Sequence, residues 1–172
     1  MAKDPISPKN GTQDAAPAGE GPPPQLRVVG QYIKDLSFES PNAPQPLRDP
    51  GENPNIQVEI NVAANQLEQT IFECAIDFKV KASSSKMTIY NLEMVYAGAF
   101  ELQNFPPQLL QPVLFVNCPA ILFPFMRRLI GDLTREGGFP PLWLDPVDWG
   151  SLYNQRLAEE QPGVGADGGA PA

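Results

Sequence analysis

Histidine, the side chain that most often serves as a general base near neutral pH and most often binds zinc, is missing from all 172 residues of this chain. Carboxylates are the acid–base groups that remain. Two pairs, Asp35 with Glu39 and Glu73 with Asp77, have the spacing that puts both members on one side of a strand. Solvated sheets often carry such acidic rows, so an enzyme built on either pair is a rival reading, to be favoured if Asp77→Asn abolished function while binding stayed intact. Cys74 and Cys118 are the only thiols, each within apolar sequence and without a CxxC motif. That is the setting of reduced, buried cysteines rather than of a zinc ribbon or a redox pair. No GxGxxG or GxxxxGK loop supplies a phosphate cradle. These residues therefore predict no catalytic site, no metal and no cofactor.

Charge narrows the partners. Twenty acidic residues against twelve basic ones give a net charge of −8. Nucleic acid binding needs a positive face, so no nucleic acid partner is expected; the acidity serves solubility or a basic partner protein. The segment 1–24 holds six prolines and few large apolar residues, and 161–172 is Gly, Pro and Ala around a lone Val164. Both read as disordered tails flanking one domain at 25–160. No apolar run approaches the roughly 20 residues of a bilayer-spanning helix, and no basic-then-apolar leader opens the chain. The expectation is a cytoplasmic protein without membrane insertion.

The elements that must position any site follow from hydrophobic spacing. A strand from Leu26 to Glu39, bulged near Gly30, is followed by an irregular Pro-rich connection through Pro54. Ile56, Val58, Ile60 and Val62 alternate with polar residues, as do Phe72, Cys74, Ile76, Phe78 and Val80, which predicts two antiparallel strands. A fourth strand, Met87 to Leu102, places Tyr90, Leu92, Met94, Tyr96 and Phe100 on one face and Met87, Ile89 and Val95 on the other, so both faces need cover. Three- and four-residue spacing then predicts a short helix opening at Pro107 and a long one from Pro119 to Glu136, stopped by Gly137-Gly138. Asp148 caps a last helix running through Leu157. Phe105, Phe115, Phe123, Phe125, Phe139, Trp143 and Trp149 gather in this helical third, more than a four-stranded sheet can hide, which points to an exposed apolar groove. An aromatic pocket for a small ligand or lipid, closed inside a monomer, is the alternative.

Four segments carry a resemblance to a known family. Lys34-Asp35-Leu36-Ser37-Phe38-Glu39-Ser40-Pro41-Asn42-Ala43-Pro44 resembles the first-strand motif of the SecB export chaperones. Tyr96-Ala97-Gly98-Ala99-Phe100, Asn117-Cys118-Pro119-Ala120-Ile121-Leu122-Phe123-Pro124-Phe125 and Gly138-Phe139-Pro140-Pro141-Leu142-Trp143-Leu144-Asp145-Pro146-Val147 follow in the family's order. The resemblance implies an α+β subunit: a four-stranded antiparallel sheet with one long helix and shorter helices packed on one face, assembled as a dimer of dimers. It implies an ATP-independent chaperone that holds unfolded secretory preproteins and delivers them to the SecA motor. It further implies SecA contacts at Asp35, Glu39 and Glu93, a client groove at Phe139, Leu142, Trp143 and Leu144, and support of the homotetramer contact by Leu92, Met94 and Tyr96. Asn91 stands where the family carries an apolar residue, beside Glu93.

Overall fold

The computed structural model describes residues 21–51 and 54–160. Of the expected tails at 1–24 and 161–172, residues 1–20 and 161–172 lie outside the described residues. Four strands form one antiparallel sheet in the order β1-β4-β3-β2: β1 (Gln25–Glu39), β2 (Asn55–Gln66), β3 (Ile71–Ser83) and β4 (Thr88–Gln103). The alternating apolar residues of β3 and β4 share one face. Ile76, Phe78, Leu92, Met94 and Phe100 are fully buried there, because helices lie across it.

Between β1 and β2 the Pro-rich connection contains one short helix, α1 (Gln45–Arg48). The helical third is more continuous than its prolines imply. α2 (Pro107–Pro112) runs through a π-helical turn, Val113–Asn117, directly into α3 (Cys118–Glu136). Pro112 and Pro119 each lack a backbone donor, and the helix widens between them instead of ending. The resulting 30-residue run, Pro107–Glu136, is long and apolar enough by length and composition to cross a membrane, a length the sequence reading did not anticipate. Here Leu122, Met126 and Ile130 of α3 are fully buried against the sheet. α3 stops as expected: Gly138 takes φ +87°, and the amides of Gly138 and Phe139 donate to the carbonyls of Arg135 and Thr134. α4 (Trp149–Glu160) opens where Asp148 Oδ1 accepts the Ser151 amide at 3.0 Å.

Two departures come from bulges. The β3–β4 register steps from Ala82↔Tyr90 to Ser83↔Thr88, leaving Ile89 unpaired. The alternation breaks there, and Ile89 joins the core at 4% exposure rather than facing away from it. β1 shifts register between Val28 and Gly30, as expected near Gly30, and again between Ile33 and Asp35. The second shift has a signal in the sequence: Ile33 and Leu36 are three apart instead of two.

Candidate functional site

The pairing registers lay out the face of the sheet away from the helices. Glu93 on β4 lies between Ser37 and Lys79, with Glu59 beyond Lys79. Val95, two residues on, lies between Asp35 and Asp77, and Asn91, two residues back, between Glu39 and Lys81. Asp35, Glu39 and Glu93 are all exposed. The structure thus brings together all three acidic residues that the family resemblance linked to a partner contact. They occupy adjacent rows of one patch, with Asn91 half-buried among them. A shallow groove of about 460 Å³ runs through it, lined by Glu39, Glu59, Glu93, Lys79, Lys81 and Asn91 among others. Lys79 Nζ stands 3.9 Å from Glu93 Oε2 with both side chains about half exposed, a pairing that holds the acid only weakly.

The bulge at Lys34 builds this patch. It keeps Tyr32 and Lys34 on the open face and still turns Asp35, Ser37 and Glu39 to the same side. Tyr32 Oη donates to Glu73 Oε2 at 2.5 Å, and Lys34 Nζ donates to Glu73 Oε1 at 2.6 Å, over a floor that includes Ala75 and Ala97. Lys34 first and Tyr32 second hold the Glu73 carboxyl below its usual range. Tyr32 is pushed up to about 12, chiefly by that hydrogen bond. Glu73 is therefore an anchored anion, with each carboxylate oxygen accepting from a different β1 side chain. Asp35 and Glu39 are four residues apart on a strand, roughly 13 Å at the backbone, too far to share one reacting centre.

The helical side presents the apolar surface. Seven aromatics were expected to exceed what the fold can hide, and the structure divides them. Phe123, Phe139 and Trp149 are buried, Phe105 and Phe115 half-buried, and Phe125 and Trp143 exposed at 51% and 61%. Of the expected groove residues only Trp143 is open to solvent. Phe139 packs 5.1 Å from Tyr90 and 6.4 Å from Phe38, ring centre to ring centre, and Leu144 is buried as well, while Leu142 is half-buried. Phe139 and Leu144 thus complete the core in this subunit rather than forming a bare wall, because Gly137-Gly138 turns the chain back under β1.

An open apolar groove of about 670 Å³ lies nearby. Leu26, Phe105, Val113, Val116, Ile121 and Val147 line it; of these only Phe105 was among the aromatics expected at an exposed groove. The strip continues past Val58, Ile60 and Leu152 toward Phe115, which stacks on Tyr153 at 5.9 Å and under Arg156 at 4.3 Å. These residues are apolar in any fold; only the approach of distant segments makes them a groove.

Leu92, Met94 and Tyr96 differ from the expected contact with a second copy. All three lie inside this subunit's own core, at 0%, 0% and 7% exposure, because α3 covers their face of β4. They can shape such a contact only by positioning α3. Uncovered apolar surface lies instead on β1, where Val28, Val29, Tyr32, Ile33 and Leu36 are all exposed on an edge strand.

Comparison with known proteins places these surfaces in context. The family model described as preprotein translocase subunit SecB matches residues 19–160. A protein-export protein SecB of Bradyrhizobium sp. is 50% identical over 145 residues, covering 84% of this chain and 90% of that one. Its counterpart in Mesorhizobium japonicum is 43% identical over 157 residues, covering 87% and 94%. Among solved structures, a SecB-like chaperone of Mycobacterium tuberculosis, in complex with a peptide from an antitoxin, superposes with a TM-score of 0.60 at 17% identity over 72% of this chain and 91% of that one. At that identity the likeness concerns the fold.

Proposed function

The chain belongs to the SecB family, and on that premise we propose that it is an ATP-independent export chaperone, which holds unfolded secretory preproteins in the cytosol and passes them to SecA. The observation that carries this reading is apolar surface left over after a complete core has formed. Phe125, Trp143, the groove floored by Val113 and Ile121, and the apolar side chains of edge strand β1 all remain open, while the inner-face residues of the central strands β3 and β4 are buried. An unfolded chain exposes apolar side chains, and each Å² removed from water contributes roughly 25 cal/mol. Folded proteins hide such groups, so binding selects slow-folding chains without reading a sequence. No step makes or breaks a covalent bond.

The open apolar edge of β1 and the uncovered side of α3 around Phe125 support assembly as a dimer of dimers. Leu92, Met94 and Tyr96 act on that assembly from beneath, by setting the height of α3. Several grooves in one oligomer raise avidity for a long client. Trp143, with Leu142 beside it, is the exposed end of the client path; Phe139 and Leu144 hold that segment down. On the opposite face Asp35, Glu39 and Glu93 suit a basic segment of SecA, with Asn91 replacing an apolar contact by a polar one. That contact weakens as salt rises. The grooves described are open to solvent, which suits a polypeptide better than the enclosed ligand of a small-molecule or lipid carrier.

Suppression of aggregation of a denatured substrate without nucleotide, paired with native mass spectrometry, tests this function. A tetramer that suppresses aggregation at equimolar ratio is expected; a monomer that leaves aggregation unchanged ends the proposal. For the acidic patch, Asp35→Lys with Glu93→Lys should weaken SecA binding in calorimetry and spare client binding. Equal SecA affinity of variant and parent would remove that assignment.

A further inference from the structure

Trp143 is 61% exposed, yet its indole is held. The segment after α3 has no regular secondary structure, and within it Trp143 is exposed between half-buried Leu142 and buried Leu144. Two features of α3 fix it there. Thr134, fully buried, donates its hydroxyl to the Ile130 carbonyl at 2.9 Å and accepts the Leu142 amide at 2.9 Å, which pins the backbone one residue before the indole. Gly131, also buried, leaves a notch: a Cβ there would stand 3.0 Å from Trp143 Cζ3, 3.3 Å from Cη2 and 3.4 Å from Cε3. The six-membered part of the indole therefore rests against α3 at Gly131, while the residue as a whole stays 61% exposed. An indole so exposed adds little to the core, which Leu144 and Trp149 already close.

We propose that Gly131 and Thr134 are positioning residues of the client groove, holding Trp143 in one outward orientation as a fixed aromatic anchor for an apolar side chain of an unfolded polypeptide. This rests on the chaperone reading and extends it to residues that need not touch the client. A ring already immobilised loses little freedom when a client stacks on it, so releasing or tilting it costs affinity on the scale of one immobilised side chain, roughly 3- to 10-fold.

The test uses the full chain and reduced, carboxymethylated pancreatic trypsin inhibitor, an unfolded probe without tryptophan. The difference in emission between the parent and Trp143→Phe isolates Trp143 from buried Trp149. Probe binding should shift that difference emission to the blue and shield it from acrylamide. Gly131→Ala should abolish most of the shift and weaken binding roughly 3- to 10-fold. Phe lacks the outer ring atoms that meet the new methyl, so Gly131→Ala/Trp143→Phe should bind no worse than Trp143→Phe alone. Thr134→Ser should behave as the parent and Thr134→Val as Gly131→Ala, which carries the test should the alanine variant fold poorly. An equal loss from Gly131→Ala with and without Trp143, or probe binding that leaves Trp143 emission unchanged, overturns this inference and leaves the chaperone reading standing. Failure of the parent to bind the probe at all overturns both.

Discussion

Replacing Glu73 by glutamine should destabilise the fold by about 1–3 kcal/mol, and only where the carboxylate is ionised. The Glu73 side chain is 9% exposed and accepts from Tyr32 at 2.5 Å and Lys34 at 2.6 Å. Hydrogen bonds to a charged group contribute roughly 1.5–3 kcal/mol each. Glutamine keeps an acceptor for Tyr32 but loses the charge, and Lys34, half exposed, recovers part of its loss from water. The net cost therefore stays near one such bond, which in a chain of this size lowers the melting temperature by roughly 2–8 °C. The pH dependence follows from the direction of the shift. Lys34, then Tyr32, hold the folded carboxyl below its ordinary value of 4.5. The contribution is complete above that value and fades as the pH falls through the lower folded one. Urea unfolding followed by circular dichroism at fixed protein concentration, from about pH 7 down to about pH 3, should show parent and Glu73→Gln converging at the acid end. The Tyr32 phenol, raised to about 12, should also titrate lower in the variant by ultraviolet absorbance. Equal stability at neutral pH, or a gap that persists undiminished in acid, would refute the account of Glu73 as an anchored anion.

Gly98→Ala should cost about 1–3 kcal/mol, because the new methyl would stand 2.8 Å from Leu122 Cδ2 and 3.0 Å from Phe100 Cε2, where α3 rests on β4; chemical denaturation checks it. Asp148→Ala should speed hydrogen exchange of the Ser151 amide and the first turn of α4. The parent should show the same loss as the pH falls through the lowered Asp148 value, since the Ser151 amide holds that carboxyl down. Neither cysteine should react with a thiol reagent at about pH 8 until the chain unfolds. Burial pushes Cys118 up to about 12 and Cys74 well above its usual 9.0, so a fast-reacting thiol in the folded protein would contradict the packing.

Local order was legible in the chain because its causes are local. The alternation from Ile56 to Val62 and from Phe72 to Val80 gives strands whose period depends only on residues two apart. Gly138 ends α3 because a left-handed residue is needed there, and Asp148 starts α4 because an orphan amide needs an acceptor. The three acidic residues of the patch were named through the family resemblance, and only the strand registers set them on adjacent rows of one face. Tertiary structure alone decided what lies under what. The break expected between the short helix at Pro107 and the long one at Pro119 is instead a π-helical turn, Val113–Asn117, that joins them into one run. Whether Phe139, Leu144 or Trp143 faces water depends on how far a 19-residue helix reaches across four strands and on where its glycines let a ring approach. Leu92, Met94 and Tyr96 look like an unclaimed stripe in one dimension and are the floor beneath α3 in three. Hydrophobicity specifies that a side chain must leave water, and only the packing of distant segments settles whether its cover comes from this chain.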